Sequence, residues 1–310
     1  MEDKDLLELF YDTIEESILF LYEKTRQKYF ELFFQTADNI LEGEVLNDLQ
    51  PEDIEALEKI YEPIREINLN VEQIRKALQA IILRGFKEEK LNNGAMTPDT
   101  IGMLFAYLIS KFEPKKRNVK ILDPIAGVGN LMWTMVNHLE LDIESYLVEH
   151  NELFVKIMSK CADLLNQESN IYFQNTLSTQ ISNMDYVVCD FDTDTLKDGQ
   201  YFPYECIKHH LNSLKEDGVM LSVIPNDFFE FDKDQSFKKE ITQNASIIGL
   251  IELPDEMFVG NAKSIILIQK KVIKDKKCLM VKLPNFSDVH AFNGALVRIE
   301  QWFENNIKNN

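Results

Sequence analysis

A glycine-containing loop after a short apolar segment constrains the fold of this chain more than any other feature. The segment Lys120–Leu122 runs directly into Asp123-Pro-Ile-Ala-Gly-Val-Gly-Asn130, and a helical stretch follows. Gly127 and Gly129 permit positive φ and lack the Cβ atoms that would keep a ligand away from the backbone. A strand, a glycine turn and a helix in this order are typical of the ligand-binding carboxyl edge of a parallel sheet.

The residues of this loop distinguish between several ligands. A phosphate-binding loop requires Gly-Lys-Ser/Thr, whereas Asn130 and Leu131 follow the second glycine here. A dinucleotide fingerprint has a third glycine where this chain has Met132, and the carboxylate of Asp123 would repel a pyrophosphate. That carboxylate suits a cofactor bearing a free amino group and a sulfonium. The alternative is an ordinary strand-to-helix turn that binds nothing.

A second carboxylate follows at a suitable distance along the chain. Glu149 ends the next predicted strand, about twenty residues past the glycines, where an acid can accept hydrogen bonds from both ribose hydroxyls of a cofactor. An acid at this position also fits a helix cap or an exposed surface. Only together with the glycine loop does it indicate a nucleoside-containing cofactor.

From residue 97 onward, short β-branched segments alternate with helical stretches, which is typical of β-α-β units. We predict strands at Val119–Leu122, Ser145–Glu149, Ile171–Phe173, Tyr186–Cys189, Val219–Ile224, Ile247–Leu253 and Ser264–Gln269. A further apolar segment, Leu279–Leu283, precedes an amphipathic helix from about Ala291 to Glu304. The pattern predicts an α/β domain over residues 93–310, built on a seven-stranded Rossmann-like sheet that helices cover on both faces.

Residues 1–92 are predicted to form a separate, N-terminal helical domain. Apolar residues recur there at helical spacing, and Gly43 followed by Pro51 indicates a turn within a bundle of about four helices. Residues 1–90 hold 22 acidic and 11 basic side chains. These acids fit a solvated outer face, or else a docking surface for a basic partner. The bundle could equally serve as a homodimer or protein-partner interface.

The whole chain carries a formal net charge of −19, which disfavours nucleic acid as a partner because phosphate binding needs a basic surface. Its four cysteines form no Cys-x-x-Cys pair, a pattern that fits a reducing compartment. The start of the sequence lacks the features of a secretory leader, and no apolar segment has the length of a membrane span. We therefore predict a cytoplasmic protein without a membrane partner.

Several motifs together resemble one family. Asn93–Pro98 before a helix and then Asp-Pro-x-Ala-Gly-x-Gly-Asn at 123–130 are similar to the adenine-specific DNA methyltransferases. Further similarity lies at Val219–Asn226, Ile248–Phe258 and Ala262–Ile268. The nearest branch comprises the modification subunits of type I restriction systems and the stand-alone YtxK-like proteins. The resemblance covers roughly residues 85–305 and implies a class I methyltransferase fold that uses S-adenosylmethionine.

The resemblance also implies roles for individual residues. Thr97 matches a threonine near the methionine carboxylate of the cofactor, and Asp123 with the backbone around Ala126, Gly127 and Gly129 matches the contacts to its amino-acid end. Glu149 matches the acid that binds the ribose. Asn175 stands where the family usually has an aspartate that contacts the adenine amino group, and an amide can still donate and accept there.

The catalytic motif departs from the family pattern. The family has Asn/Asp-Pro-Pro-aromatic after the fourth strand, and its first side chain and the following backbone carbonyl accept hydrogen bonds from the target amine. Asp190-Phe191-Asp192-Thr193 stands here instead, without either proline and without the terminal aromatic ring. Asp190 and Phe191 remain the candidate catalytic residues. Tyr201, Phe202 and Tyr204 are nearby candidates for the missing ring.

Three functions remain open at this point. The chain is an S-adenosylmethionine-dependent N-methyltransferase of unknown acceptor, or an inactive cofactor-binding or regulatory module with the same fold, or another nucleotide-binding enzyme such as a dehydrogenase, which Asp123 and Met132 disfavour. We predict no metal site, because His209 and His210 are neighbours on a helix and point in different directions.

Overall fold

The computed structural model describes residues 3–65, 67–112, 118–191, 201–258, 262–273 and 277–308. Its N-terminal part is a four-helix unit, as the apolar periodicity predicts. These helices are α1 (Asp3–Thr25), α2 (Tyr29–Glu42), α3 (Pro51–Arg65) and α4 (Val71–Glu88). Their apolar stripes meet in a common interior, where Ile14, Leu21, Phe33 and Ile81 are almost fully buried.

Local sequence explains where these helices begin and end. α2 ends at Gly43, whose left-handed φ of 72° lets its N–H donate to the Asn39 carbonyl oxygen at 3.0 Å. Pro51 is the first residue of α3, a position at which its missing N–H costs no helical hydrogen bond. Asn70 caps α4 by accepting a hydrogen bond from the Gln73 N–H at 2.9 Å.

The rest of the chain forms the predicted α/β architecture around one mixed sheet. Its strands are β1 (Asn118–Asp123), β2 (Asp142–Glu149), β3 (Ser169–Phe173), β4 (Met184–Asp190), β5 (Leu214–Pro225), β6 (Ser246–Glu252), β7 (Lys263–Gln269) and β8 (Leu279–Lys282). The accompanying helices are α5 (Asp99–Phe112), α6 (Asn130–His138), α7 (Glu152–Leu165), α8 (Phe202–Leu211), α9 (Ser236–Asn244) and α10 (Val289–Phe303). The strand order is β3-β2-β1-β4-β5-β7-β6-β8.

The sheet has eight described strands, one more than the seven predicted. The eighth is the apolar segment near residue 280, which pairs in parallel with β6. Leu279 and Val281 are buried there while Met280 is 68% exposed, so one face of this edge strand packs on the core. The predicted class of fold is confirmed, and the difference is one short strand added at the edge.

β7 runs antiparallel to both of its neighbours, β5 and β6. The connection from β6 to β7 comprises residues 253–262, too few to hold the crossover helix that a parallel pair needs. As a consequence β7 begins where the parallel strands end. Its first residue, Lys263, lies opposite Pro225 at the end of β5, at the carboxyl edge of the sheet.

Apolar and polar contacts both join the helical unit to the α/β part, and one cluster of buried apolar residues extends through both. Phe86 of α4 contacts Phe154 of α7 with ring centroids 5.8 Å apart. Lys160 of α7 forms an ion pair with Asp38 of α2 at 2.5 Å. The division between residues 92 and 93 therefore remains a prediction from sequence.

No helix in the described part of the chain is long and apolar enough to cross a membrane.

Candidate functional site

The glycine loop after β1 adopts the conformation for which its sequence is suited. Gly127 has a φ of 55° and Gly129 a φ of 84°, a region that other residues rarely occupy. A Cβ on Gly127 would lie 2.4 Å from the carbonyl oxygen of Ala95, so the space for a side chain is also missing. The Val128 N–H donates to that same oxygen at 3.2 Å, which fixes the loop against the segment before α5.

Glu149, at the end of β2, joins this loop to the neighbouring strand. Its Oε2 accepts a hydrogen bond from the Gly127 N–H at 3.0 Å. Its Oε1 accepts from the N–H groups of His150 and Asn151, both at 2.8 Å. Three backbone donors thus orient a carboxylate that is only 7% exposed, and they hold it at the rim of the loop.

Asp123 lies beneath the loop and is 2% exposed. Burial raises the pKa of its carboxyl to about 8; a hydrogen bond from the Ile125 N–H opposes that shift, and the nearby charges of Glu149 and Asp190 add to it. A carboxyl with this pKa is largely protonated at neutral pH. A cationic group placed beside it would favour its ionised form.

A cavity of about 370 Å³ opens beside the loop at the carboxyl edge of the sheet. Of the predicted site residues, Gly127, Glu149, Asn175 and Asp190 lie on its wall. The other described residues of the wall are Gly94, Ala95, Pro124, Ile125, Val148, His150, Phe154, Gln174, Thr176 and Phe202. The cavity therefore runs from the glycine loop to the end of β4.

Hydrogen bonds hold the predicted residues of this region in place, both on the wall and next to it. Thr97 accepts a hydrogen bond through its carbonyl oxygen from the side chain of Asn130 at 2.7 Å. The Ala126 N–H donates to the Val148 carbonyl oxygen at 3.0 Å, which ties the loop to β2. The Asn175 side chain caps its own turn by accepting from the Leu177 N–H at 2.9 Å.

A buried arginine of the helical unit reaches the end of the loop. Arg75 of α4 is 2% exposed and donates to both carboxylate oxygens of Asp99, at 3.0 and 2.9 Å, and to Asn130 Oδ1 at 3.1 Å. Burial alone would raise the pKa of Asp99, but the hydrogen bonds from Arg75, Lys76 and Asn130 outweigh it and hold that pKa well below its usual range. The N-terminal helices thus help to position the last residue of the loop.

The candidate catalytic residues meet a lysine that the sequence analysis left without a role. Lys263 Nζ lies 3.2 Å from Asp190 Oδ1 and also 3.2 Å from the carbonyl oxygen of Phe191. Asp190 and Lys263 are 9% and 19% exposed, so this is a partly buried ion pair. Asp192 and Thr193, the other two residues of the departed motif, lie outside the described residues.

Of the three aromatic candidates, Phe202 lies on the cavity wall and packs edge-on against Phe191, with ring centroids 6.1 Å apart. Tyr201 and Tyr204 are buried and belong instead to a separate aromatic cluster. Tyr201 stacks on Phe231 and Tyr204 on Phe237, with centroids 4.2 and 4.1 Å apart. Only Phe202 of the three is thus placed beside the cavity.

The two neighbouring histidines have structural hydrogen bonds. His210 contacts Thr176 Oγ1 at 2.7 Å and Ser213 Oγ at 3.2 Å, and burial lowers the pKa of its imidazole to about 3. His209 Nε2 lies 2.8 Å from the Thr179 carbonyl oxygen. Within the described ranges, no group of three or more histidine, cysteine or acidic side chains is arranged to hold a metal ion.

Comparison with known proteins assigns both parts of the chain. Residues 79–305 match the family model described as N-6 DNA methylase, which is more than half of the chain. The chain belongs to the N-6 DNA methylase family. Residues 8–86 match the YtxK N-terminal helical domain. The resemblance inferred from the motifs is thereby confirmed.

Individual relatives agree with this assignment. The uncharacterised protein YtxK of Bacillus subtilis is 29% identical over 254 residues, which cover 75% of this chain and 77% of that protein. A Listeria monocytogenes structure assigned to the class I S-adenosylmethionine-dependent methyltransferases has a TM-score of 0.84 and 28% identity, covering 96% of this chain and 99% of the other. A type I restriction-modification methyltransferase subunit from Streptococcus thermophilus shares the fold at a TM-score of 0.61 and 14% identity, covering 94% and 74%.

Membership of this methylase family implies S-adenosylmethionine, and the cavity fits that molecule in one specific respect. A Cβ at Gly127 would collide with the Ala95 carbonyl, so glycine there lets the loop pack closely beside the cavity. Glu149 and Asn175 supply an acceptor and an amide at separate points of the same wall. A volume of about 370 Å³ lies within the range of small-molecule sites.

Sequence reasoning missed two residues of this candidate site. Lys263 was part of a recognised motif, Ala262–Ile268, but only the antiparallel direction of β7 places it beside β4. Arg75 belongs to a helix that the domain division separated from the loop. The sequence showed only that Arg75 lies on the amphipathic helix α4. Arginine side chains are usually exposed, so this position alone did not indicate a buried contact.

Proposed function

We propose that this chain is an S-adenosylmethionine-dependent methyltransferase that transfers a methyl group to an amine. The observation that carries this proposal is the cavity that joins the glycine loop and Glu149 at one end to Asp190 at the other. A cofactor site and an acceptor-side carboxylate on one wall are the arrangement that methyl transfer needs, because the donor carbon and the amine must be held in line.

The residues have distinct roles in the proposed mechanism. Glu149 accepts hydrogen bonds from the ribose hydroxyls, and Asn175 contacts the adenine amino group. Thr97, Asp123 and the backbone of Ala126–Gly129 hold the amino-acid end of the cofactor. When bound, S-adenosylmethionine supplies an electrophilic methyl group on its sulfonium.

On the acceptor side, Asp190 and the Phe191 carbonyl orient the amine so that its lone pair faces the donor. Asp190 Oδ1 and the Phe191 carbonyl oxygen both accept hydrogen bonds from one nitrogen, that of Lys263, and this geometry supports their proposed role. Phe202, an aromatic ring on the wall that packs against Phe191, would pack against the acceptor.

One observation favours a second candidate, a cofactor-binding or regulatory module without transfer. Both acceptor atoms of the proposed amine site are already engaged by Lys263. A chain in which that contact never opens would bind the cofactor and methylate nothing. This candidate has the same cofactor site as the first. The two differ only in whether Lys263 leaves Asp190 and the Phe191 carbonyl oxygen.

Calorimetry with S-adenosylmethionine and its demethylated product tests the cofactor site. Glu149→Gln should weaken binding by about 10- to 100-fold, because a charge-assisted hydrogen bond to a buried carboxylate contributes about 1.5–3 kcal/mol. Glu152→Gln, three residues away and exposed, is the matched control and should bind like the wild type. Absence of heat with either ligand in the wild type would overturn both candidates.

Transfer of a labelled methyl group to DNA, RNA and cell extract then separates the enzyme from the binding module. Asp190→Ala should abolish any transfer while leaving cofactor binding within a fewfold of the wild type. Unchanged transfer in Asp190→Ala would contradict the proposed role of Asp190. Cofactor binding without transfer to any of the three substrates would favour the second candidate.

A further inference from the structure

The ion pair at the end of β4 has the geometry of a bound amine. The nitrogen of Lys263 lies 3.2 Å from two acceptors, the Asp190 carboxylate and the Phe191 carbonyl oxygen. These are the two groups that the proposed function assigns to the methyl acceptor. In this structure they bind the ammonium of the chain's own lysine.

A third contact makes this a built ammonium site. Lys263 Nζ lies 5.3 Å from the centroid of the Phe258 ring, within the range of a cation–π interaction. A carboxylate, a carbonyl oxygen and an aromatic face together match a cation at the end of an apolar chain. They match the neutral, planar amino group of a nucleobase less well, because that group carries no charge to balance Asp190.

The backbone around Lys263 is held rigidly, so the contact follows from the fold. The Leu253 N–H donates to the Lys263 carbonyl oxygen at 3.0 Å, and the Asn226 N–H donates to the Ala262 carbonyl oxygen at 2.9 Å. Ser264 Oγ donates to Asn226 Oδ1 at 2.6 Å. Lys263 therefore starts from a fixed position at the sheet edge, and its side chain need only extend to reach Asp190.

We propose that Asp190, the Phe191 carbonyl and Phe258 form a binding site for a primary alkylammonium group, and that Lys263 is its built-in occupant. An external ligand of this site is then an alkylammonium, such as the side chain of a lysine, which replaces both the hydrogen bonds and the charge of Lys263. An ammonium has no lone pair, so such a ligand must lose a proton before it can accept a methyl group. The net charge of −19 also favours a cationic ligand, since it attracts cations and repels polyphosphates.

This inference rests on the proposed function in one respect only, the identification of Asp190 and Phe191 as the acceptor side. It can be tested without the cofactor, so its failure and the failure of S-adenosylmethionine binding are separate results. Lys263→Ala removes the ammonium of Lys263 from that site. n-Butylammonium, added to that variant, carries the missing ammonium on the missing alkyl chain.

Thermal unfolding of Lys263→Ala with n-butylammonium is the decisive measurement. At about a tenfold excess over Kd, we expect its Tm to rise by about 2–5 °C, because a ligand that binds only the folded state stabilises it. n-Butanol, which has the same chain without the charge, should leave the Tm unchanged. The wild type, whose site is filled, and Lys282→Ala, which loses an exposed ion pair with Glu252, should not respond. An equal response to n-butanol, or none to n-butylammonium, would overturn the proposal.

The source of the ammonium can be separated in the same assay. Nα-acetyl-lysinamide presents the group as a peptide does. A response to it as well as to n-butylammonium indicates a peptidyl lysine, and a response to n-butylammonium alone indicates a small amine.

Chemical labelling provides a second test that does not depend on the alanine variant folding. Reductive dimethylation of the wild type, followed by mass spectrometry, should modify Lys263 at least about tenfold more slowly than Lys282. The Lys263 side chain is 19% exposed in its ion pair, whereas that of Lys282 is 61% exposed and its ion pair with Glu252 is open to solvent. Asp190→Asn should remove most of that protection. Equal labelling of Lys263 and Lys282 in the wild type would contradict an occupied site.

Discussion

Three carboxylates of the cavity region, Asp123, Glu149 and Asp190, have different surroundings although they lie close together. Glu149 accepts three backbone hydrogen bonds, and Asp190 has the ammonium of Lys263. Asp123 has one backbone hydrogen bond and is buried, so its pKa rises to about 8. Burial with a single backbone hydrogen bond thus leaves the Asp123 carboxyl largely protonated at neutral pH.

The raised pKa of Asp123 makes the stability of the protein depend on pH. In the unfolded chain this carboxyl titrates near pH 4, so between about pH 4 and pH 8 the folded chain binds more protons. The contribution of Asp123 to the free energy of unfolding therefore falls as the pH rises through that window. Urea titrations at several pH values measure this decline in the free energy of unfolding. Asp123→Asn should make the decline smaller, whereas Asp142→Asn, an exposed control, should leave it unchanged. An unchanged slope in Asp123→Asn would show that another group is responsible.

At the scale of elements, the connection between β1 and α6 requires glycine for two independent reasons. The backbone at Gly127 has a positive φ, and a Cβ there would collide with the Ala95 carbonyl. Ala95 belongs to the segment that precedes α5, so the loop conformation depends on a part of the chain some thirty residues earlier. The loop is therefore held rigidly against the segment before α5, which suits a preorganised binding site.

Gly127→Ala should destabilise the protein by at least about 2 kcal/mol, since both a left-handed backbone and a steric clash oppose the methyl group. Cofactor binding should be lost in calorimetry. Gly294→Ala provides the opposite control, because that glycine lies in α10 and no atom lies within 4 Å of the place that a methyl group would occupy there. Alanine at that position should stabilise the protein by about 0.5–1 kcal/mol. Similar effects of the two substitutions on unfolding would refute the steric argument.

At the scale of the whole molecule, the helical unit takes part in the architecture of the site. Arg75 of α4 binds Asp99 at the start of α5 and Asn130 at the start of α6. The family match begins at residue 79, inside α4, so this helix is shared by both matched regions. The role of the helical unit as a homodimer or partner interface, and the acidic docking surface, remain predictions.

Arg75→Met should destabilise the protein by about 3 kcal/mol, because it leaves the carboxylate of Asp99 without its buried partner. The value lies at the lower end of the usual range since Lys76 still contacts Asp99. Arg298→Met, at an exposed position of α10, should stay within about 0.5 kcal/mol of the wild type. Urea unfolding of the three proteins measures these differences, and a small effect of Arg75→Met would show that the network contributes little.

The sequence by itself determined the features that local patterns encode. The glycine loop, the carboxylate at the end of β2 and the alternation of strands and helices each depend on residues close together in the chain, and they led to the fold and its family. The eighth strand was visible as an apolar segment, but four residues at a sheet edge give too short a pattern to assign.

Only the tertiary structure decided which residues surround the site. Asp190 and Lys263 are 73 residues apart, and they meet because β7 inserts antiparallel between β5 and β6. Arg75 and Asn130 are 55 residues apart and belong to regions that composition separated. Contacts of this kind depend on strand order and strand direction, which arise from the packing of the whole chain and leave no periodic signal in the sequence.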